Sequence, residues 1–411
     1  MKKTQFSEWG ISSPRYWGLL TFLAAVAGVG GLAALYMEHN GHWLTGMTNQ
    51  VVWGTPHVFA VFLIVAASGA LNVASIGSVF GKKLYKPLAP LSGLLAVALL
   101  IGGLMVLVLD LGRPDRLIIA MTYYNFKSIF AWNIILYTGF MAIVLVYLFT
   151  MMERKMNAYS KAVGTFAFVW RLVLTTGTGS IFGFLVAREA YNSALLAPMF
   201  IVMSFAFGTA IYILVLMYAF RADNRSLGDI VLFRLKNLLG VFIAGMWYFT
   251  LVYHLTNLYI TENHDFEAFV LRDGGIYTAA FWLGHIIVGV VIPLGILYHP
   301  VLGQARRWIA GACAMVVLGG LANMYLIIIG GQAFPMTLFP DQTIIESGFY
   351  DGVNGLPAAY SPSIPEFLLG LGGVAVALLL TIVGIRMLRF LPASLADEVA
   401  DPHGGKTAAA H

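Results

Sequence analysis

Long apolar runs dominate this sequence and constrain its fold more than any other feature. Ten runs are long enough to cross a hydrocarbon core of about 30 Å, which takes about 20 residues in a helix. Because only helices and closed barrels satisfy their backbone hydrogen bonds in lipid, such runs predict transmembrane helices. The sequence therefore predicts an all-α integral membrane protein with one polytopic domain over residues 1–391. The predicted spans are 17–37, 52–79, 88–110, 128–151, 162–187, 197–220, 238–260, 277–299, 308–330 and 367–390.

The distribution of basic residues predicts the topology. With the amino terminus in the cytoplasm, 18 of the 24 lysine and arginine residues fall inside, five fall outside, and Arg171 lies within a span. Positive loops resist translocation, so ten helices with both termini cytoplasmic are predicted. Residues 392–411 are predicted to form a mobile cytoplasmic tail. Spans 2 and 6 each follow a proline and carry a mid-helix glycine (Gly69, Gly208), which is compatible with two parallel four-helix bundles and two peripheral helices.

The composition excludes several classes of function. Hydrophobic residues make up 59% of the chain and charged residues 10%, unlike a soluble domain. The net charge of +5 arises in short loops between apolar runs, so membrane topology explains it and no nucleic-acid partner is expected. The single cysteine, Cys313, leaves no disulfide framework, thiolate metal cluster or CxxCH haem attachment. Redox chemistry here would need a bound cofactor or a partner, and no metal site is expected.

Acidic residues show the opposite bias. Twelve of the 19 fall in predicted outer segments, against five basic residues. This negative outer face would suit a partner with a basic docking surface, or it reflects only the tolerance of acids on the translocated side. The outer segment 331–366 is rich in proline and glycine and has no basic residue, so it is predicted to form a cap or docking surface.

A charge cluster follows the third span. Residues 109–116, Leu-Asp-Leu-Gly-Arg-Pro-Asp-Arg, place four charges directly after an uncharged run. Ionisable groups are expensive at a membrane boundary, so Asp110 and Arg113 are candidate site residues. The alternative is that Gly112 and Pro114 simply end a helix there and the charges face headgroups and water.

Three histidines share the outer third of the membrane with Asp110 in this topology: His57, His254 and His285. Imidazole and carboxylate groups at that depth can relay protons or hydrogen-bond a quinone carbonyl, and a hydrogen-bonded core role is the alternative. His254 and His285 on sequential spans could also bind a b-type haem. A di-haem anchor would need another pair in the inner half, where only His299 occurs, so no haem is expected and a b-haem cytochrome anchor is the alternative.

Further polar residues are candidates for a proton path. Arg171 lies deep in the fifth span and cannot lose its proton, so it needs a carboxylate, backbone carbonyls or a water-filled cavity. We interpret it as a structural clamp first and a proton-path residue second. The pair Arg188 and Glu189 lies near the outer side and is a further candidate.

Several short motifs carry a resemblance to a known family. The sequence resembles the NrfD/PsrC family, the polysulfide-reductase-type integral membrane subunits, over essentially its whole length. The strongest match is Asp110-Leu111-Gly112-Arg113-Pro114. The others are Trp53-Gly54, Tyr124-Asn125-Phe126-Lys127-Ser128, Gly179-Ser180, Phe281-Trp282 and Pro362-Ser363-Ile364-Pro365-Glu366.

The resemblance implies a haem-free subunit of a respiratory or sulfur-metabolism complex in a bacterial or archaeal inner membrane. Such a subunit binds a quinone, either menaquinone or ubiquinone, near the outer face. It exchanges electrons with a periplasmic iron–sulfur (ferredoxin-like) subunit and assembles with other membrane and cytochrome subunits. Ten spans are most like the DsrP-type members of DsrMKJOP complexes, and hydrogenase-linked members share that number.

The resemblance and the charge cluster together imply a quinone site made of two kinds of residue. His57 and Asp110 would handle the protons and oxygens of the quinone, and Arg113 would hold Asp110 ionised or bind the second oxygen. Aromatic and polar neighbours would bind the ring. These are Trp53, Tyr124 and Asn125.

Two positions depart from the family pattern. Several members carry a histidine before the Gly-Ser pair of the fifth span, where this sequence has Thr-Gly-Thr at 176–178. Members also carry a carboxylate beside the Phe-Trp pair of the eighth span, where this sequence has Gly284-His285. His285 could substitute for that acid, and redox-coupled proton translocation stays an alternative function.

Overall fold

The computed structural model describes residues 5–10, 14–334 and 360–400; most of the predicted cap at 331–366 and the tail beyond residue 400 lie outside them. Ten long helices run through the described part, and we number them in chain order. They are α1 (Pro14–Asn40), α2 (Thr55–Ser78), α3 (Lys83–Leu109), α4 (Ile129–Met152), α5 (Ser160–Gly183), α6 (Leu196–Ala222), α7 (Asp229–Tyr259), α8 (Ile276–Tyr298), α9 (Arg306–Ala333) and α10 (Ile364–Met387). This confirms the predicted all-α fold.

Nine of the helices in the described part are long and apolar enough to cross a membrane. The helix outside this group is α5, because Arg171 and its threonines and glycines lower its hydropathy, although its 24 residues equal the length of α4. Each predicted span overlaps one helix. The largest difference is at α7, which begins at Asp229 and not at the predicted residue 238. Asp397 Oδ1 accepts the Ile230 N–H at 2.9 Å. This bond satisfies a backbone donor in the first turn of the helix, which therefore begins within a polar stretch.

The helices pack into two closed groups of four. In the first group, α2 packs against α3 and α5, and α4 packs against α3 and α5. In the second, α6 packs against α7 and α9, and α8 packs against α7 and α9. The peripheral helices α1 and α10 pack against each other, and α10 covers α3 and α2. The arrangement is that of two four-helix bundles with two peripheral helices.

The two bundles meet where α2 crosses α6. The mid-helix glycines of these helices, Gly69 and Gly208, lie against each other at the crossing. A Cβ at Gly69 would overlap the Ser204 carbonyl, and one at Gly208 would overlap the backbone of Gly69 and Ala70. The helix backbones therefore touch, which only glycine permits.

The two ends of the chain meet on one side of the bundles. Strand β1 (Phe6–Ser7) pairs antiparallel with strand β2 (Leu391–Pro392). The Arg225 guanidinium, at the end of α6, donates to backbone carbonyls of both segments, including Glu8 at 2.7 Å and Pro392 at 3.0 Å. The first residues of the predicted mobile tail therefore contact the rest of the protein, and 401–411 lie outside the described residues.

Candidate functional site

The charge cluster after α3 is a tight turn whose geometry follows from its sequence. Asp110 ends α3, and Gly112 has φ of 69°, a conformation that side chains disfavour. A Cβ at Gly112 would meet the His42 ring at 3.3 Å, so the turn also packs closely. Pro114 then opens a short 3₁₀ turn. The motif therefore both ends the helix and fixes the direction of the Asp110 side chain.

Asp110 and His57 form a buried pair. His57 Nδ1 lies 2.7 Å from Asp110 Oδ2, with 16% of the His57 side chain exposed and none of the Asp110 side chain. Asp110 Oδ1 is buried and has no hydrogen-bond partner among the described residues. A short contact to a buried carboxylate is charge-assisted, and a free carboxylate oxygen beside it is an acceptor for a ligand or a water.

His57 lines an apolar cavity of about 450 Å³. Trp53 stacks on His57 with ring centroids 6.1 Å apart, and Phe130 and Phe182 lie 6.0 and 5.8 Å from Trp53. Leu111 and Phe130 are each 45% exposed, so the cavity reaches the lipid-facing surface of the helices. The remaining lining residues are aliphatic or weakly polar: Val61, Ile64, Leu104, Leu107, Val108, Leu117, Met121, Asn133, Ile134, Tyr137, Thr138, Ile181 and Ile328.

Gln332, at the end of α9, holds Trp53 in place. Gln332 Oε1 accepts the N–H groups of Val52 and Trp53 at 3.0 Å each, and its Nε2 donates to the Trp53 carbonyl at 3.1 Å. Arg188 donates to the carbonyls of Gln332 and Gln50 at 2.9 and 2.8 Å. Burial lowers the pKa of Arg188. Arg188, predicted as a proton-path candidate, thus joins the end of α9 to the segment before α2 through these hydrogen bonds.

Glu366 fixes the start of α2 from the opposite side. The carboxylate is fully buried and accepts the N–H groups of Gly46 and Ser363 and the Tyr360 hydroxyl at 2.7–2.8 Å. The Tyr360 oxygen in turn accepts the Thr55 N–H at 2.7 Å. Sequence reasoning missed these roles, although the Ser363 and Glu366 spacing is a capping box and could have shown where α10 begins.

Three predicted site residues lie apart from the cavity. Arg113 was expected to contact Asp110, but its guanidinium donates to Asp115 at 3.1 and 3.2 Å and is 61% exposed. The hydrogen bond from Arg113 lowers the pKa of Asp115. Tyr124 stacks on Phe126, and Asn125 Oδ1 accepts the Lys127 N–H; neither lines the cavity. The partner of Asp110 is therefore His57 and not Arg113, because the turn directs Arg113 outward.

A second histidine–carboxylate pair lies in the second bundle. His254 Nδ1 contacts Glu267 at 2.8 Å, and Asn257 donates to Glu267 at 2.9 Å. The Glu267 side chain has no exposed area. His285 is buried within a π-helical stretch of α8, with Nε2 at 3.3 Å from the Thr250 hydroxyl and Nδ1 without a partner in the described part. Glu267, which precedes α8, is thus a buried carboxylate bonded to His254, whose ring lies 4.7 Å from the ring of Phe281.

The other two proton-path candidates are placed differently. Arg171 is buried, donates to the Ser68 carbonyl at 3.1 Å, and lies under the rings of Phe168 and Phe205 at 4.9 and 5.1 Å. These contacts link three helices. Glu189 lies in the segment after α5, where burial first, then Asp265 and Glu262, raise its pKa.

The described segments contain no group of three or more His, Cys, Asp or Glu side chains that could hold a metal ion. The cavity beside His57 offers a histidine–carboxylate pair and flat apolar walls, which suit a planar apolar ligand with a polar oxygen.

Fold and site together define a multi-pass integral membrane protein with a histidine–carboxylate pair beside an apolar cavity near one end of its first bundle. The sequence profile of the family described as polysulphide reductase, NrfD, matches residues 43–336. The chain belongs to this family, which confirms the predicted family and the membrane localisation.

Its relatives include subunits of several oxidoreductases. The Hdr-like menaquinol oxidoreductase integral membrane subunit of Archaeoglobus fulgidus is 30% identical over 95% of this protein and 97% of its own length. A selenate reductase subunit of Mesobacillus selenatarsenatis is 22% identical over 96% of this protein and 98% of its own length. A polysulfide reductase polypeptide of Wolinella succinogenes is 25% identical over 70% of this protein and 96% of its own length.

Proposed function

We propose that this protein is the quinone-interacting membrane subunit of an electron-transfer complex, and that the cavity beside His57 binds the quinone ring. The observation that carries the proposal is the 2.7 Å contact of His57 with Asp110 at the wall of the apolar cavity, with Asp110 Oδ1 unpartnered among the described residues. The relative named as a menaquinol oxidoreductase subunit supports the proposal and favours menaquinone over ubiquinone.

The chemistry divides between the two partners of the pair. A quinone supplies reversible two-electron, two-proton chemistry when bound. Asp110 accepts a hydrogen bond from the Nδ1–H of His57, which fixes the imidazole tautomer and leaves Nε2 for the ligand. His57 lines the cavity, and through Nε2 it would accept a proton from a quinol hydroxyl or return one to a quinone carbonyl. Trp53, Phe130 and Phe182 form flat walls for the ring.

The electron partner is proposed to be an iron–sulfur, ferredoxin-like subunit on the periplasmic side, within a complex that also holds membrane and cytochrome subunits. Relatives named as parts of selenate reductase and of polysulfide reductase support a multi-subunit assembly. An acidic group of Glu189, Glu262 and Asp265 supports a basic docking face on the partner. As a more specific prediction within this proposal, we assign the protein a DsrP-type role in sulfur metabolism.

Substitution of Asp110 tests the proposal. In the purified complex, Asp110→Asn should lower quinol turnover by about 100-fold or more, since it removes the negative charge beside His57 and lets the amide fix the wrong imidazole tautomer. Asp115→Asn is the matched control, because it removes a carboxylate from the same turn that is exposed and paired with Arg113. The control should keep its turnover and both variants should assemble; full activity in Asp110→Asn would overturn the assignment.

Redox-coupled proton translocation is a second candidate, favoured by the buried pair of His254 and Glu267. Glu267→Gln keeps the volume and the hydrogen-bonding groups but cannot ionise. In proteoliposomes we expect this variant to retain quinol oxidation and to lose the coupled proton release. Equal proton release in the variant and the wild type would exclude this role.

The b-haem alternative is tested by spectroscopy. The cavity beside His254 measures about 30 Å³, which is the space of one water molecule and far less than a haem needs. We therefore propose a hydrogen-bonding role for His254. A redox difference spectrum of the purified complex should change little in His254→Ala. A b-type signal that disappears in this variant would favour a cytochrome anchor.

A further inference from the structure

A large pocket lies at the opposite end of the first bundle from His57. It has a volume of about 760 Å³ and is formed by the ends of α2, α3, α4, α5 and α10 together with the N-terminal segment. This end carries the basic loops that the charge bias assigns to the cytoplasm. We propose that this pocket binds an anionic phospholipid, with its phosphate among basic side chains and its acyl chains along the bundle.

The charges around the pocket favour an anion. Three basic residues line it, Lys86, Lys161 and Arg389, against one acid, Glu8. Glu8 is already shared, since Arg389 lies 3.4 Å and Arg386 3.7 Å from its carboxylate. Lys86 and Lys161 form no ion pair within the described part of the protein. The two lysines therefore present uncompensated charge at the pocket, where a phosphate would meet them.

A tyrosine hydroxyl adds a polar group to the wall of the pocket. Tyr147 lines the pocket and is 1% exposed. The neighbouring Ser78 hydroxyl donates to the Ala74 carbonyl at 2.9 Å and keeps lone pairs that can accept the Tyr147 O–H. The two hydroxyls therefore give the inner wall a polar patch against which a phosphate or ester oxygen can lie.

The rest of the lining distinguishes a lipid from free phosphate. Phe6, Met151, Met387 and Phe390 give the pocket apolar walls beside its basic rim. Inorganic phosphate would gain nothing from these walls, whereas acyl chains bury apolar surface against them. The pocket therefore combines a headgroup site with an acyl site, and its ligand class is a diacyl phospholipid with net negative charge.

The test compares lipid binding by the purified complex in nanodiscs and detergent. The variant is Lys86→Gln with Lys161→Gln, and the matched control is Lys82→Gln with Lys83→Gln, two lysines close to Lys86 in sequence that do not line the pocket. We expect the pocket variant to bind phosphatidylglycerol about 30-fold more weakly and the control to keep wild-type affinity. Native mass spectrometry and phosphorus analysis of extracted lipid provide the readouts.

Each outcome bears on the proposal. Retention of phosphatidylglycerol by the pocket variant, or equal binding of phosphatidylcholine by the wild type, would overturn it. Competition by inorganic phosphate as effective as that by phosphatidylglycerol would also overturn the lipid assignment. Quinol turnover in detergent should be unchanged in the pocket variant, because these lysines lie far along the helices from His57; this separates the lipid site from the proposed quinone site.

Discussion

At the scale of single residues, the three buried carboxylates in the described part of the protein differ in how fully they are bonded. Glu366 uses both oxygens, for Gly46 and Ser363 on one side and Tyr360 on the other, and Glu267 is bonded by His254 and Asn257. Asp110 bonds only His57 and leaves Oδ1 open. An unpaired buried oxygen costs about 1–3 kcal/mol. Asp110 does not itself line the cavity, so a buried water behind His57 is a donor that this oxygen can accept.

Glu189 provides a prediction about pH. Its pKa is raised from 4.5, mainly by burial, so the folded protein binds this proton more tightly than the unfolded one. The free energy of unfolding therefore falls as pH rises through the window between 4.5 and the raised pKa. Glu189→Gln should be more stable than the wild type at pH 7, by about 1 °C in Tm, and equal to it near pH 4.

The matched control for this prediction has the opposite sign. The hydrogen bond from Arg272 lowers the pKa of Asp273, so that carboxylate favours folding when ionised. Asp273→Asn should lose a little stability at neutral pH, and the loss should shrink below the ordinary pKa of aspartate and vanish below the lowered pKa of Asp273. Thermal unfolding of the detergent-solubilised protein from pH 2 to 8 measures both. A Glu189→Gln variant less stable than wild type at pH 7 would contradict the argument.

At the scale of helices, the crossing of α2 and α6 determines how the two bundles meet. A methyl group at Gly69 would overlap the Ser204 carbonyl, which belongs to the backbone of α6 and cannot move alone. Gly69→Ala should therefore lower the free energy of unfolding by about 1–3 kcal/mol. Thermal unfolding and the fraction of assembled complex are the measurements.

Gly31 in α1 is the matched control, because nothing lies within 4 Å of its added Cβ. Gly31→Ala should be neutral or stabilise the protein by up to about 1 kcal/mol, since alanine favours the helical state. Equal stability of the two variants would mean that α2 and α6 do not pack backbone to backbone.

The sequence predicted the depth of residues better than their contacts with distant residues. His57, Asp110 and Trp53 lie together as expected, because depth in the membrane can be read from the apolar runs. The expected contact of Arg113 with Asp110 is replaced by one with Asp115, because hydropathy does not show which way a turn directs a side chain. Gln332 could not be found, since its partner Trp53 is 279 residues away in sequence.

The acids illustrate the same limit. Asp110, Glu267 and Glu366 were counted on a negative outer face, but all three are buried. Only tertiary contacts show that each side chain is enclosed by the protein and bonded to particular partners. The outer acidic surface is therefore smaller than the count of twelve residues indicated.

At the scale of the whole molecule, the meeting of the two chain ends bears on the number of spans. Strand β1 pairs with strand β2, and Arg225 bonds both segments, so both ends lie on one side of the bundles. An even number of crossings is needed to return a polypeptide to the side where it began. Nine spans would separate the ends, and ten require α5 to cross despite the buried charge of Arg171.

Reporter insertions that preserve the full protein test this count. Alkaline phosphatase, which is active only outside the cytoplasm, should be inactive when inserted at residue 156 and active at residue 187 if α5 crosses. An insertion at residue 125 is the positive control, since it precedes α4 and is outside under either count. A fusion at the carboxyl terminus should be inactive. Low activity at 187 together with an active fusion at the carboxyl terminus would mean that α5 does not cross the membrane. The charge of Arg171 would then not have to be stabilised within the membrane.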